Sequence, residues 1–90
     1  MKMVFWGHAV RRLFEREISL DEMRAVLAEG ETIEDYPYDE PYPSKLVLGW
    51  LHGRPLHVVA AFNEDADETI GITAYEPDPD IWDADFRTKK

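Results

Sequence analysis

Two apolar runs, Lys45–Leu51 and Pro55–Phe62, flank the dipeptide His52-Gly53, and no other feature constrains the fold of this chain so tightly. A two-residue connector closes a tight antiparallel hairpin, because its backbone twist matches that of the strands it joins. The charge around this hairpin is unusual. All nineteen Asp and Glu residues lie outside Pro41–Asn63, although the chain carries a formal net charge of -9. Lys45, His52, Arg54 and His57 therefore stand among Leu46, Val47, Leu48, Trp50, Leu56, Val58 and Val59 on a locally neutral-to-positive surface. Such a surface accommodates an anion. Half-buried central strands also shed acids simply to pack, so both readings stay open.

Ahead of the hairpin the periodicity is helical. Lys2–Trp6 reads as a short strand or an extended lead-in, and Gly7 precedes a helix from about His8 to Glu17. Ala9, Val10, Leu13 and Phe14 fall on its apolar stripe. Ser19 opens a second helix with a capping box, since Glu22 can reach back to the cap amide. Met23, Val26 and Leu27 form its inner face, and Gly30 is expected to end it in the left-handed conformation. Residues 7–30 thus form a helical hairpin.

After Glu31 the pattern becomes that of strands. Thr32–Tyr36 is a short acidic strand near an edge, and Pro37, Pro41 and Pro43 interrupt any ladder in the loop that follows. Asn63–Glu68 is a polar turn, Thr69–Tyr75 the next strand, and residues 76–90 a tail anchored by Trp82 and Phe86. Helices followed by a meander predict an α+β, two-layer fold: a helical hairpin on an antiparallel sheet of four or so strands. Strand parity places Val47, Leu51, Leu56, Val58, Ala60, Phe62, Ile70, Ile72 and Ala74 under the helices. It places Leu46, Leu48, Trp50, His57, Val59, Gly71, Thr73 and Tyr75 on an open face, with His57 nearly opposite Tyr75.

Composition narrows the function classes. A chain that is 44% hydrophobic is not disordered, and ninety residues suit one domain spanning 1–90. There is no cysteine, and the three histidines are poorly spaced for zinc, so neither a metal nor another cofactor is expected. No apolar run approaches the roughly 20 residues of a membrane span, and the N-terminus is too short for a signal peptide. A cytoplasmic protein without membrane contact is expected. Its acidity disfavours general phosphate-backbone binding, while leaving room for a single phosphate site or a basic partner.

Two constellations could carry chemistry. His8, Arg12 and Arg16 recur every four residues along one edge of the first helix, which suits phosphate binding. They could equally cap the helix and pair with Glu15, Asp21 or Glu22. The second set is Arg54, His57, Thr73 and Tyr75. A facing His and Tyr can act as general base and acid, with Arg54 steadying an anion. The competing reading is a histidine hydrogen-bonded to a tyrosine on a partner-binding face. Trp50 on the same face suits either base stacking or interface packing. Asp78, Asp80, Asp83 and Asp85 lack the glycine and terminal Glu of a calcium loop.

His8-Ala9-x-x-Arg12 with Arg16, the strand Gly53-Arg54-Pro55-Leu56-His57-Val58-Val59, and Ile72-Thr73-Ala74-Tyr75-Glu76-Pro77-Asp78 resemble a family of small bacterial and archaeal proteins. That family bears only a domain-of-unknown-function label. Its members are often encoded beside a zinc-finger antitoxin of the MqsA/YgiT type, and its βααβββ order is similar to that of the RelE/ParE toxin superfamily. The resemblance implies the toxin of a type II toxin–antitoxin pair, acting as an endoribonuclease free or on the ribosome. The family's recurrent polar residues fall here at His8, Arg12, Arg16, Arg54, His57, Thr73 and Tyr75. RelE-like nucleases are typically basic, whereas this chain is acidic.

The expected reaction is metal-free RNA cleavage by attack of a ribose 2′-hydroxyl on the adjacent phosphate. His57 and Tyr75 are its acid–base pair and Arg54 its anion-stabilising group, with His8, Arg12, Arg16, Trp50 and Thr73 as binding residues. The expected partners are a zinc-finger antitoxin, RNA or the ribosome, and a second copy of the chain. Two alternatives stand beside this reading. One is a non-catalytic module that docks a partner through the open sheet face, and the other is a toxin of different mechanism, such as topoisomerase inhibition.

Overall fold

The computed structural model describes residues 2–90, His8 through its backbone alone. Strand β1 (Lys2–Phe5) leads into helices α1 (Gly7–Glu15) and α2 (Leu20–Glu29). Strands β2 (Glu31–Tyr36), β3 (Ser44–Leu51), β4 (Arg54–Asn63) and β5 (Glu68–Tyr75) follow. The expected α+β class and the helical hairpin before the meander are both present. The sheet departs from expectation: it has five strands in the order β1-β5-β4-β3-β2, and it is mixed rather than antiparallel. β2 to β5 pair antiparallel, but β1 lies parallel to β5, with Val4 beside Ile70. The helical hairpin carries the chain from β1 across the sheet to β2 at the opposite edge, and β1 satisfies its backbone on the otherwise bare edge of β5.

The local chemistry explains most of the element ends. Ser19 Oγ accepts from the Glu22 amide at 3.0 Å, while the Ser19 amide donates to Glu22 Oε1 at 2.8 Å. That reciprocal pair fixes the start of α2. His52 and Gly53 both adopt positive φ, 55° and 78°, as a tight hairpin turn of the primed type requires. Gly30 does not take the left-handed conformation. Its φ is -76°, and glycine is needed there because the carbonyls of Val26 and Leu48 crowd its α-carbon.

Leu13, Ile18, Met23 and Val26 from the helical layer meet Val47, Leu56, Val58 and Ala74 of the sheet in one buried cluster. Val10 and Phe14, expected on the inner stripe of α1, are 40% and 86% exposed. The short helix is centred on Ala9 and Leu13, so its apolar arc is wider than the sheet can cover. A β-bulge between Val59 and Ala60 pairs them with Thr73 and Gly71, which leaves Ile72 outside the register. The one-residue shift turns Gly71, expected on the far face, toward Phe5 and Met23, and moves Ile70 to the other side.

The far face of the sheet is not open. Residues 81–90 fold back on themselves there, with Trp82 bridged to Lys89, the Lys90 amide on Ile81 O and the Asp83 amide on Thr88 O. Trp82, an expected anchor, is buried against this face. A helical layer, the sheet and this terminal segment therefore stack in sequence, so the expected two layers gain a partial third.

Candidate functional site

β4 and β5 bring His57 and Tyr75 together as direct cross-strand partners, as strand parity predicts. Their rings meet edge to face at 5.3 Å, and Nδ1 of His57 lies 3.3 Å from the Tyr75 hydroxyl. The other ring nitrogen, Nε2, is 2.7 Å from the carbonyl oxygen of Phe86. A carbonyl can only accept, so Nε2 carries the proton and Nδ1 presents its lone pair to the tyrosine O–H. Trp82 closes the imidazole from above, its ring 4.6 Å away and nearly perpendicular. His57 is 0% exposed in consequence.

Burial tunes both groups toward neutrality. Desolvation lowers the His57 pKa, against smaller opposing effects from the Phe86 carbonyl and the Glu34 carboxylate. Desolvation also raises that of Tyr75; the Glu34 charge adds to the rise and Arg16 opposes it. At neutral pH the pair is therefore an uncharged imidazole facing a protonated phenol. This arrangement has a measurable consequence. A histidine with a lowered folded pKa binds fewer protons folded than unfolded, so stability is full at higher pH and declines as pH falls below about 6.5. Urea titrations between pH 7.5 and 5.5 should show this decline in the wild type. His57→Gln should lose it, and an unchanged slope in that variant would contradict the assignment.

The remaining expected residues divide between the two sides of the sheet. Arg54 does not join His57. It shares the helix-facing side of β4 with Leu56, where Nε contacts Glu76 at 3.1 Å and Nη1 lies 3.7 Å from Glu22. The sequence parity of β4 already separates residues 54 and 57, and two acids hold the guanidinium in place. Arg16 and Thr73 do meet: the guanidinium donates to Thr73 Oγ1 at 3.2 Å and to Ala74 O at 2.8 Å. This ties the end of α1 to β5 and sets Arg16 near Tyr75. Arg12 is exposed on α1, on the far side of the sheet from His57. The side chain of His8 lies outside the described residues. Trp50 is half exposed on the His57 side, with its ring 5.8 Å from that of Phe86.

Sequence reasoning missed Glu34 and Tyr36. A register shift between Thr32 and Glu34 sets Glu34 opposite Leu46 and Tyr36 opposite Ser44, on the His57 face. The Tyr36 hydroxyl donates to Glu34 Oε2 at 2.6 Å, and burial with that carboxylate pushes its pKa up to about 12. Both residues line a cleft of about 350 Å³ with Tyr75, Asp78, Trp82 and Lys89. The only sequence signal was the alternation of polar and apolar residues in β2, which a bulge obscures. Among the described residues no group of three or more His, Asp and Glu could hold a metal ion. None of their helices is long and apolar enough to cross a membrane.

A family model described as Domain of unknown function (DUF4258) matches residues 5–76. The match takes in both helices, the whole sheet after β1 and the His57–Tyr75 pair, and it stops short of the terminal segment that covers them. No curated protein and no solved structure matches the chain.

Proposed function

This chain belongs to the DUF4258 family, and we propose that it is the toxin of a toxin–antitoxin pair that cleaves RNA without a metal, at His57 and Tyr75. The observation that carries the reading is the neutral imidazole whose Nδ1 lone pair faces a protonated phenol across one ladder rung. In the proposed reaction His57 takes the proton of a ribose 2′-hydroxyl as that oxygen bonds to the adjacent phosphorus. Tyr75 protonates the departing 5′-oxygen, leaving a 2′,3′-cyclic phosphate. Arg16, bonded to the Ala74 carbonyl beside Tyr75, faces the phosphate in place of the acid-paired Arg54. A helical hairpin ahead of an antiparallel meander supports the likeness to RelE/ParE toxins, and the partner is a zinc-finger antitoxin. The reaction requires His57 to be uncovered, because a fully buried base reaches no substrate.

One observation favours a second reading. Both ring nitrogens of His57 have partners and the imidazole is sealed, as in a structural histidine of a non-catalytic binding module. Inducing the wild type, His57→Gln and Tyr75→Phe in a bacterial host separates the two. The toxin reading expects growth arrest with fragmented RNA in the wild type. Tyr75→Phe removes one oxygen and leaves the ring, so cleavage should drop by roughly 100-fold or more in a protein that still folds. Equal behaviour of three folded proteins would decide for the binding module.

A further inference from the structure

The segment that buries His57 is built differently from the sheet beneath it. Among the described residues, each backbone hydrogen bond outside the helices and strands that involves residues 78–90 stays inside that segment. Ile81 O receives the Lys90 amide at 2.9 Å, Thr88 O the Asp83 amide at 2.8 Å, and Asp83 O the Phe86 amide at 2.8 Å. Asp85 Oδ1 adds bonds from the Arg87 and Thr88 amides. These backbone bonds run within the segment, so lifting it from the sheet would break none of them.

Its attachments to the sheet are few. Trp82 leans on the His57 ring, Phe86 on the Trp50 ring, and the Phe86 carbonyl accepts from His57 Nε2. An ion pair joins Arg87 to Glu31 at the first residue of β2, with both side chains about half exposed. Phe86, whose carbonyl seals the imidazole, has a φ of 56°. A bulky residue in the left-handed region is strained, and strain of this kind gathers at positions that switch. The family match ends at Glu76, just before the segment begins.

We propose that residues 81–90 form an autoinhibitory strap, which undocks as a unit and so exposes His57, Tyr75 and Trp50 to whatever that face binds. The strap holds the site shut in the closed state, and release of Arg87 from Glu31 and of Phe86 from Trp50 opens it. This rests on the proposed site but not on RNA being its substrate. Opening is local: the sheet and helices keep their structure while the strap moves.

The test uses the full chain and reads His57 directly. Diethyl pyrocarbonate modifies accessible imidazoles, and mass spectrometry separates His57 from His52, which is exposed on the hairpin turn and serves as an internal standard. Arg87→Glu sets like charges together and should speed His57 modification by roughly two- to fivefold. Phe86→Ala should speed it by roughly three- to tenfold. Adding Glu31→Arg to Arg87→Glu restores an ion pair and should return the rate to near the wild-type value. Amide exchange at Leu56 and Val58 should stay unchanged throughout. If His57 reacts at one rate in all four proteins, or only as fast as those core amides exchange, the strap is a fixed part of the fold and the proposal fails. RNA cleavage is read separately: faster His57 modification without any cleavage upholds the strap and rejects the nuclease.

Discussion

Replacing Trp82 by alanine should cost about 3–5 kcal/mol of folding stability, the usual range for removing a buried tryptophan. Trp82 is 5% exposed and stands over the His57 ring, while Lys89 lies 5.6 Å from the centre of its own ring. Alanine would leave the imidazole beside a cavity open to solvent at one side. The loss can be no larger than the free energy with which the terminal segment docks, because beyond that point the segment simply stays undocked. Urea unfolding followed by far-ultraviolet dichroism measures it. A loss under about 1 kcal/mol would mean that the segment adds little to the fold and that the burial of His57 is weakly held. Arg87→Ala makes a useful contrast: an exposed ion pair is worth at most about 1 kcal/mol.

The cross-strand meeting of His57 and Tyr75 was legible because a two-residue turn leaves the register no freedom. Once His52-Gly53 closes the hairpin, parity assigns each side chain of β3 and β4 to a face, and Tyr75 follows on the next strand. Parity failed where the ladder slips. The bulge at Val59 and Ala60 reversed the faces of Gly71 and Ile70, and the shift in β2 hid Glu34 and Tyr36. Neither bulge has a residue signature that distinguishes it from regular strand.

The covering of the site was illegible for another reason. Trp82 and Phe86 read as anchors, but a turn-rich segment with Pro77 and Pro79 has no periodicity to say which face it seeks. Sequence-local reasoning therefore treated the far face as free, and placed a catalytic base there in contact with solvent. Arg54 shows the opposite case. Its strand parity already set it apart from His57, and its charge was matched by Glu22 and Glu76, acids from two distant segments that only the fold brings together.

Gly30→Ala should be the most damaging single-methyl change in the chain, at about 3 kcal/mol or more. Gly30 ends α2 with an ordinary backbone, so the conformational cost usual for a glycine cap does not apply. The cost is steric. A β-carbon there would fall inside contact distance of the Val26 and Leu48 carbonyl oxygens and 2.8 Å from Val47 Cγ1. Two of those atoms are backbone, one in α2 and one in β3, and neither can turn aside as a flexible side chain would. The Gly30 amide also donates to Val26 O at 2.7 Å, which draws the chain closer still. Relief would require α2 to lift from the sheet, loosening Val26 from the space it fills against Gly49. Gly7→Ala is the matched control, since nothing lies within 4 Å of a β-carbon there and alanine suits the start of a helix. Thermal melts of both variants decide the matter: Gly7→Ala should hold or slightly raise the midpoint, and an equally benign Gly30→Ala would show that the helix end is looser than its contacts require.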